Sequence, residues 1–105
     1  MTNTERLEQI TLVNELRKKY PMTHSIPNGG KRDISTAKKL KQEGLLPGVP
    51  DLFVPELGMY IELKRTKGGR VSAEQKAFIA GLDGSPCRCI VAMGALDALE
   101  QLERR

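Results

Sequence analysis

GVPDLFVPELGMYIELK, residues 48–64, is the stretch of sequence that decides the fold of this chain. It contains two short apolar runs, residues 52–54 and 59–61, separated by a segment that holds Pro55 and Gly58. Proline and glycine at these positions are typical of a turn between two antiparallel strands. The stretch therefore predicts a β-hairpin.

A turn centred between Glu56 and Leu57 would place Asp51 directly opposite Glu62 on the two strands. Side chains alternate between the two faces of a strand, so the hairpin has one apolar face and one mixed face. The apolar face, which we expect to pack in the core, consists of Leu52, Val54, Met59, Ile61 and Leu63. The other face consists of Asp51, Phe53, Tyr60, Glu62 and Lys64.

The opposed acids, Asp51 and Glu62, point to a metal site. Directly opposed side chains have Cβ atoms about 4.5–5.5 Å apart, where two negative charges destabilise a hairpin unless a positive group lies between them. Oxygen ligands suit hard cations, so the pair predicts Mg²⁺ or Mn²⁺ rather than Zn²⁺. Lys64 lies on the same face and would direct its ammonium group at the water or phosphate beside the metal. The alternative is that these are ordinary solvated charges on an exposed sheet face.

The same residues carry a resemblance to known nucleases. Pro50-Asp51 followed by Glu62-Leu63-Lys64 resembles the PD-(D/E)xK signature of the restriction-endonuclease-like superfamily. The wider pattern is similar to the VRR-NUC family within it, in the stand-alone form found in phages and prophages. The segments that carry this similarity are Gly44, residues 47–52, residues 62–65, residues 72–75, residues 26–30, and the spacing of Glu5 and Gln9.

The resemblance implies a metal-dependent nuclease with defined site residues. The implied catalytic residues are Asp51, Glu62, Lys64 and Gln75. The implied metal ligands are Asp51, Glu62, the Leu63 carbonyl group and an acid from the first helix, Glu5. Gln75 also has a structural interpretation, because Ser72 and Gln75 have the spacing of a helix capping box. The two roles of Gln75 do not exclude each other.

Residues 2–20 are predicted to form the first helix, with Thr4 as its cap and Pro21 as its stop. At about 100° per residue, one face of this helix collects Gln9, Val13, Leu16 and Tyr20. Glu5 lies at the margin of that face and Glu8 points outward, which favours Glu5 over Glu8 as the helical acid at the site. The interaction of a first-turn glutamate with the helix dipole is an alternative explanation for Glu5.

Two glycine-rich basic segments, residues 28–32 and 65–70, are candidate DNA contacts. Glycine lets the backbone approach a phosphate closely, and lysine and arginine supply the charge. The predicted DNA-binding residues are Lys31, Arg32, Arg65, Lys67 and Arg70. The segment at residues 28–32 could instead be an ordinary surface turn, and the lysines of a third basic segment, the helix at residues 35–43, could be solvated or could border the DNA.

The pattern of apolar and polar residues in the rest of the chain predicts the other strands and helices of an α/β fold. Strands are expected at residues 22–27 and 87–93, the second of them buried, and helices at residues 35–43, 72–82 and 95–105. Gly44 would end the helix at 35–43, and His24 is expected to be a packing residue rather than a base. We therefore expect one domain over residues 1–105, restriction-endonuclease-like, with a small mixed β-sheet flanked by helices.

Composition narrows the class of protein further. The chain has 105 residues, a formal net charge of +4 and a pI near 9.3, a mild bias toward an anionic partner such as DNA. Cys87, Cys89 and a single histidine cannot form a usual four-ligand zinc site, so the cysteines are expected to be reduced thiols. Neither a membrane span nor a signal peptide is evident, which predicts a soluble cytoplasmic protein, located in the bacterial host cell if the chain is phage-encoded.

The substrate expected from these features is DNA recognised by backbone and shape. The chain has two tyrosines, two phenylalanines and no tryptophan, so base stacking is not an evident mode of recognition. A nuclease this small would gain DNA contact area as a symmetric homodimer, and paired active sites are the arrangement of Holliday junction resolvases, which the family resembles in fold. Four-way junctions are therefore the first expected substrate. A flap or nicking nuclease of a phage replication or restriction system, and a catalytically idle DNA-binding module, are the alternatives.

Overall fold

A computed structural model of the protein describes residues 3–27, 33–65 and 67–104. Helices and strands follow one another in the predicted order. The helices are α1 (Asn3–Arg17), α2 (Ile34–Gln42), α3 (Ala73–Gly81) and α4 (Ala95–Glu103). The strands are β1 (His24–Ser25), β2 (Leu52–Val54), β3 (Met59–Lys64) and β4 (Arg88–Met93). The observed fold is therefore the predicted α/β class, a small mixed sheet with helices around it.

The sheet has the order β1-β2-β3-β4 and is built around the predicted hairpin. β2 and β3 are antiparallel, with Leu52 paired to Ile61 and Val54 paired to Met59, which confirms the register. The turn is closed by a hydrogen bond from the Gly58 amide to the Pro55 carbonyl oxygen at 3.1 Å. β4 is parallel to β3, and α3 forms the crossover between them.

The predicted apolar face of the hairpin forms the centre of the core. All five of its side chains are buried: Leu52, Val54, Met59, Ile61 and Leu63. α1 and α4 cover this face with four further buried residues: Leu12, Leu16, Ala95 and Ala98. Two neighbouring helices therefore lie on one side of the sheet, and α3 packs on the other side, where Phe78 contacts the Tyr60 ring edge-on with centroids 5.2 Å apart.

Local sequence signals account for the ends of α2 and α3. Ser72 and Gln75 form the predicted capping box at the start of α3. α2 begins after Asp33, whose carboxylate accepts a hydrogen bond from the Thr36 amide. Gly44 follows the end of α2 with a φ of 113°, a left-handed conformation that favours glycine.

Three predictions about α1 are wrong. Thr4 is not the cap, because the helix already includes Asn3 and Thr4 lies inside it. The helix ends at Arg17 rather than Tyr20, and residues 18–20 form a turn, because the ring of Pro21 disfavours helical backbone in the residue before it. Glu8 does not point outward: its Oε1 accepts a hydrogen bond from the Ala95 amide at 2.9 Å. α4 packs against α1, and Gly94 at the start of α4 has no side chain with which to cap it. Glu8 therefore supplies the cap from another helix.

The strand predicted at residues 87–93 is less buried than expected. β4 is an edge strand, so only its core-facing side is well covered, and Ala92 is its one fully buried residue. Cys87 and Cys89 are half-buried free thiols, as predicted, and burial raises the pKa of Cys89 to about 11. His24 in β1 is exposed, so its expected packing role is limited to an edge contact with the Phe53 ring.

No helix in the described part of the chain is both long and apolar enough to cross a membrane.

We predict that Glu8→Ala lowers the free energy of unfolding by about 1 kcal/mol, because the start of α4 loses its capping acceptor. Urea denaturation of the variant and the parent protein measures the difference. Glu15→Ala is the control on the same helix, since Glu15 makes only an exposed ion pair with Lys18 and should change stability by less than about 0.5 kcal/mol. Equal effects of the two substitutions would contradict the capping role of Glu8.

Candidate active site

Asp51 is held at the point where three strands meet. It directly precedes β2, and its Oδ2 accepts a hydrogen bond from the Leu63 amide of β3 at 2.9 Å. Its backbone carbonyl oxygen accepts a hydrogen bond from the Ile26 amide, just after β1, at 2.8 Å. Both the backbone and the side chain of Asp51 are therefore fixed by neighbouring strands.

Glu62 is a buried acid with only 3 % of its surface exposed. Its Oε2 accepts hydrogen bonds from the Gln75 side-chain amide at 2.7 Å and from Lys64 Nζ at 3.1 Å. Its Oε1 is buried and has no hydrogen-bond partner. A charged acid is costly to bury, and here only one of its two oxygens is compensated by the protein.

Gln75 joins the two charged residues through its side-chain amide. Its Oε1 accepts hydrogen bonds from Lys64 Nζ at 2.7 Å and from the Ser72 amide at 2.8 Å. Two donors at the oxygen leave the amide nitrogen to face the Glu62 carboxylate, which fixes the orientation of the amide group. The same oxygen thus completes the capping box of α3 and binds Lys64, so both interpretations of Gln75 are compatible with one geometry.

Gly48 sets the distance between the Asp51 segment and α3. Its φ is 90°, and a Cβ at this position would lie 2.3 Å from the Glu74 carbonyl oxygen and 2.9 Å from the Gln75 nitrogen. Only glycine lets the chain pass this close to the first turn of α3. The close approach brings residues 48–51 and Gln75 to the same site.

These residues line a cleft of about 850 Å³. From the hairpin and α3 it is lined by Asp51, Glu62, Ser72, Glu74 and Gln75. From the other elements it is lined by Gln9, Ser25, Ile26, Pro27, Lys41, Pro47, Gly48 and Val49. The cleft therefore connects three of the predicted catalytic residues, Asp51, Glu62 and Gln75, with α1 and α2.

The electrostatics of the cleft leave an excess of negative charge. Burial raises the pKa of Asp51. The hydrogen bond from the Leu63 amide and the charge of Lys64 lower this pKa, and the charge of Glu5 raises it. Burial also raises the pKa of Glu62, and the neighbouring charge of Asp51 adds to it. Lys64 is the one ammonium group that acts on both acids. The ionised pair is therefore only partly compensated by the residues around it.

The donor set of the cleft fits a hard divalent cation. Two carboxylates with an unpartnered buried oxygen, Glu62 Oε1, are chemically suited to Mg²⁺ or Mn²⁺, which take oxygen ligands and keep several waters. Within residues 3–27, 33–65 and 67–104, no three His, Cys, Asp or Glu side chains are close enough together to hold a metal ion. Asp51 and Glu62 are therefore the two acids that the described geometry offers together to such a cation.

The other predicted site residues are partly brought together. Glu5 is half-buried in α1, near enough for its charge to raise the pKa of Asp51, and its role as a ligand stays a prediction. Leu63 lies between Glu62 and Lys64 in β3, and the role of its carbonyl group also stays a prediction. Three of the predicted DNA-binding residues are exposed on the segment after β3: Arg65, Lys67 and Arg70. The remaining two, Lys31 and Arg32, lie outside the described residues.

Sequence reasoning missed roles for two residues, Gln9 and Gly48. Gln9 lines the cleft although it is distant from the hairpin in sequence, and so does Lys41, one of the lysines expected either to be solvated or to border the DNA. Gly48 was part of the quoted motif, but its contact with α3 has no local sequence signal. The position of Gln9 one helical turn after Glu5 was the available indication that α1 presents a polar edge to the site.

The fold and the site together define a small α/β domain of the restriction-endonuclease-like type. The chain belongs to the VRR-NUC domain family, a family of nuclease domains, whose model matches residues 3–96. A solved structure described as a VRR_NUC domain protein has the same fold, with a TM-score of 0.79 and 20 % sequence identity. That match covers 99 % of this chain and 88 % of the other chain. No match was found among curated proteins.

We predict that Gly48→Ala destabilises the protein by about 3 kcal/mol or more, because the new methyl group adds a clash with α3 to the strain of a positive φ. Gly44→Ala is the matched control: Gly44 also has a positive φ, but a Cβ there meets nothing within 4 Å. Its cost should be about 1–2 kcal/mol from backbone strain alone. Chemical denaturation of both variants measures the difference, and equal costs would contradict the close contact.

Proposed function

We propose that this protein is a Mg²⁺- or Mn²⁺-dependent endodeoxyribonuclease of the PD-(D/E)xK superfamily, with Asp51, Glu62 and Lys64 at its active centre. The observation that carries the proposal is the Glu62 carboxylate, which is buried and bound to Lys64 and Gln75 through one oxygen while the other has no partner. Burying a charge in this way lowers the stability of the fold, and the same charge would favour the binding of a cation.

Phosphodiester hydrolysis requires stabilisation of charge on the phosphate, an activated water molecule and a stabilised leaving oxygen. A bound divalent cation supplies Lewis-acid chemistry for these needs. The proposed ligands from this chain are Asp51, Glu62 and the Leu63 carbonyl group, with Glu5 as a further acid from α1.

Lys64 is proposed to act on the attacking water and on the phosphate. Its ammonium group contacts the Glu62 carboxylate and the Gln75 amide oxygen, so it is held at the edge of the cleft rather than free in solvent. From there the ammonium form can orient the attacking water and stabilise the transition state by its positive charge, whereas help in deprotonating the water would require the neutral amine form of Lys64. Gln75 is proposed to hold Lys64 and Glu62 in the correct relation.

The DNA backbone is proposed to cross the cleft between basic residues on two sides. Lys41 of α2 lines the cleft itself, and Arg65, Lys67 and Arg70 are exposed on the segment that directly follows Lys64. Contacts of lysine and arginine with phosphates give binding that depends on charge rather than on sequence. Lys31 and Arg32 remain predicted members of the same surface.

We predict that Asp51→Asn, Glu62→Gln and Lys64→Ala each reduce DNA cleavage at least about a hundredfold, because each removes a charge from the reacting centre. Cleavage of labelled DNA with Mn²⁺ measures the effect, and a chelator should abolish the activity of the parent protein. Circular dichroism should show that the variants remain folded.

Asp83→Asn is the control for this experiment, because Asp83 is an exposed acid just after α3 and does not line the catalytic cleft. It should cleave DNA at the parent rate. Full cleavage by Glu62→Gln would refute the assignment of the centre, and equal loss in all four variants would indicate a general effect on the protein.

The preferred substrate is proposed to be branched DNA, with four-way junctions first and a homodimer as the active form. A domain this small offers little surface for reading sequence, and a symmetric dimer doubles the DNA contact area and presents two cleavage sites. A flap or nicking nuclease that works as a monomer, in a phage replication or restriction system, is the second candidate. The intact set of two acids and a lysine argues against an idle DNA-binding module.

We predict that the protein cleaves a four-way junction at least about tenfold faster than linear DNA of the same sequence, which corresponds to about 1.4 kcal/mol in the barrier. A panel of linear, flap and four-way DNAs with Mn²⁺ measures the preference, and light scattering measures the mass of the protein. A monomer that cuts flaps fastest would support the second candidate instead.

A further inference from the structure

Two buried side-chain oxygens lack a hydrogen-bond partner in the described part of the chain, and both belong to residues of the catalytic cleft. They are Glu62 Oε1 and Gln9 Oε1. Glu62 and Gln9 come from β3 and α1, which are far apart in sequence, and both line the same cleft.

An unpartnered buried oxygen lowers stability, because the atom has lost its hydrogen bonds to water and gained none from the protein. Both atoms are acceptors, so the partner that is missing from each must be a hydrogen-bond donor or a cation. A hydrated divalent cation provides both, since it attracts a carboxylate oxygen directly and its water molecules donate hydrogen bonds to a neutral oxygen.

The backbone of Gln9 is held firmly in position. α1 is anchored in the core by Leu12 and Leu16, which are buried, and Glu8 ties it to the start of α4. The Gln9 side chain therefore extends from a fixed helix toward the cleft. Its amide oxygen is neutral, so it can contribute an acceptor without adding to the repulsion between Asp51 and Glu62, whose two charges already match those of a divalent ion.

We propose that Gln9 is a positioning residue for the cation, with its Oε1 accepting a hydrogen bond from a water molecule of the ion's hydration shell. This inference rests on the proposed metal-dependent function and adds a residue that has no catalytic or metal-binding role in the sequence pattern. It assigns α1 a neutral contact with the ion's water shell in addition to any contribution from Glu5.

The test is Gln9→Met, which keeps the size and flexibility of the side chain and removes the acceptor. Two effects of opposite direction are expected. The metal-free protein should become more stable, with its melting temperature raised by about 4 °C, because an unpartnered oxygen is removed from the interior. The dissociation constant for Mn²⁺, measured by calorimetry without DNA, should increase about tenfold, because the ion's water shell loses an acceptor.

Two further variants sharpen the test. Gln9→Glu keeps an acceptor and adds a further negative charge to the cleft, so the metal-free protein should melt at a lower temperature while Mn²⁺ binding is retained. It also provides the measurement if Gln9→Met fails to fold. Gln42→Met is the control for the chemical change, because Gln42 is exposed at the end of α2, and it should leave Mn²⁺ affinity unchanged.

Several results would overturn the role of Gln9. Unchanged Mn²⁺ affinity in Gln9→Met, together with lost affinity in Glu62→Gln, would reject this inference and leave the proposed function standing. A lower melting temperature of metal-free Gln9→Met would also reject it, because the amide would then be making contacts that the protein needs without the ion. If the parent protein itself binds no Mn²⁺, the proposed function fails and this inference fails with it.

Discussion

The site depends on the pairing of β2 with β3, which places two acids side by side at the end of the hairpin. With Leu52 opposite Ile61, the apolar side chains of both strands face the core, and Glu62 faces the cleft where Asp51 is held. A shift of one residue in the register would turn every side chain of one strand to the other face. Burial of Leu52, Ile61 and Leu63 therefore stabilises the hairpin and the acid pair together, and the core opposes the repulsion between the two charges.

α3 supplies the second constraint by compensating part of the buried charge. Its capping residue Gln75 binds Glu62 through the amide nitrogen and Lys64 through the oxygen, so one side chain connects helix, acid and base. Gly48 allows α3 to lie against the Asp51 segment, which brings this side chain within reach. The compensation is incomplete, because in the described part of the chain Glu62 Oε1 and Gln9 Oε1 have no hydrogen-bond partner. Such unsatisfied buried acceptors lower the stability of the protein.

Much of the fold was predictable because its signals are local. Alternating apolar residues and a Pro–Gly turn predicted the hairpin, its register and its buried face, and the Ser72–Gln75 spacing predicted the start of α3. Two of the wrong predictions concern contacts between elements. Glu8 was expected to face outward from the periodicity of α1 alone, and the packing of α4 against α1 gives it a partner. β4 has an apolar sequence typical of a central strand, and its position at the sheet edge leaves it half-covered.

The sequence by itself determined the element order, the hairpin faces and the positions of two acids and a lysine on one hairpin between residues 51 and 64, because these depend on neighbours along the chain. The tertiary structure decided which distant residues join them. Gln75, Gln9 and Lys41 reach the cleft from three different helices. Their positions follow from how α1 and α3 pack on opposite faces of the sheet and from where α2 lies beside the cleft, and no local periodicity encodes those distances. The polar residues of the hairpin are thus set by the local sequence. The residues that surround them in the cleft are set by packing between elements distant in sequence.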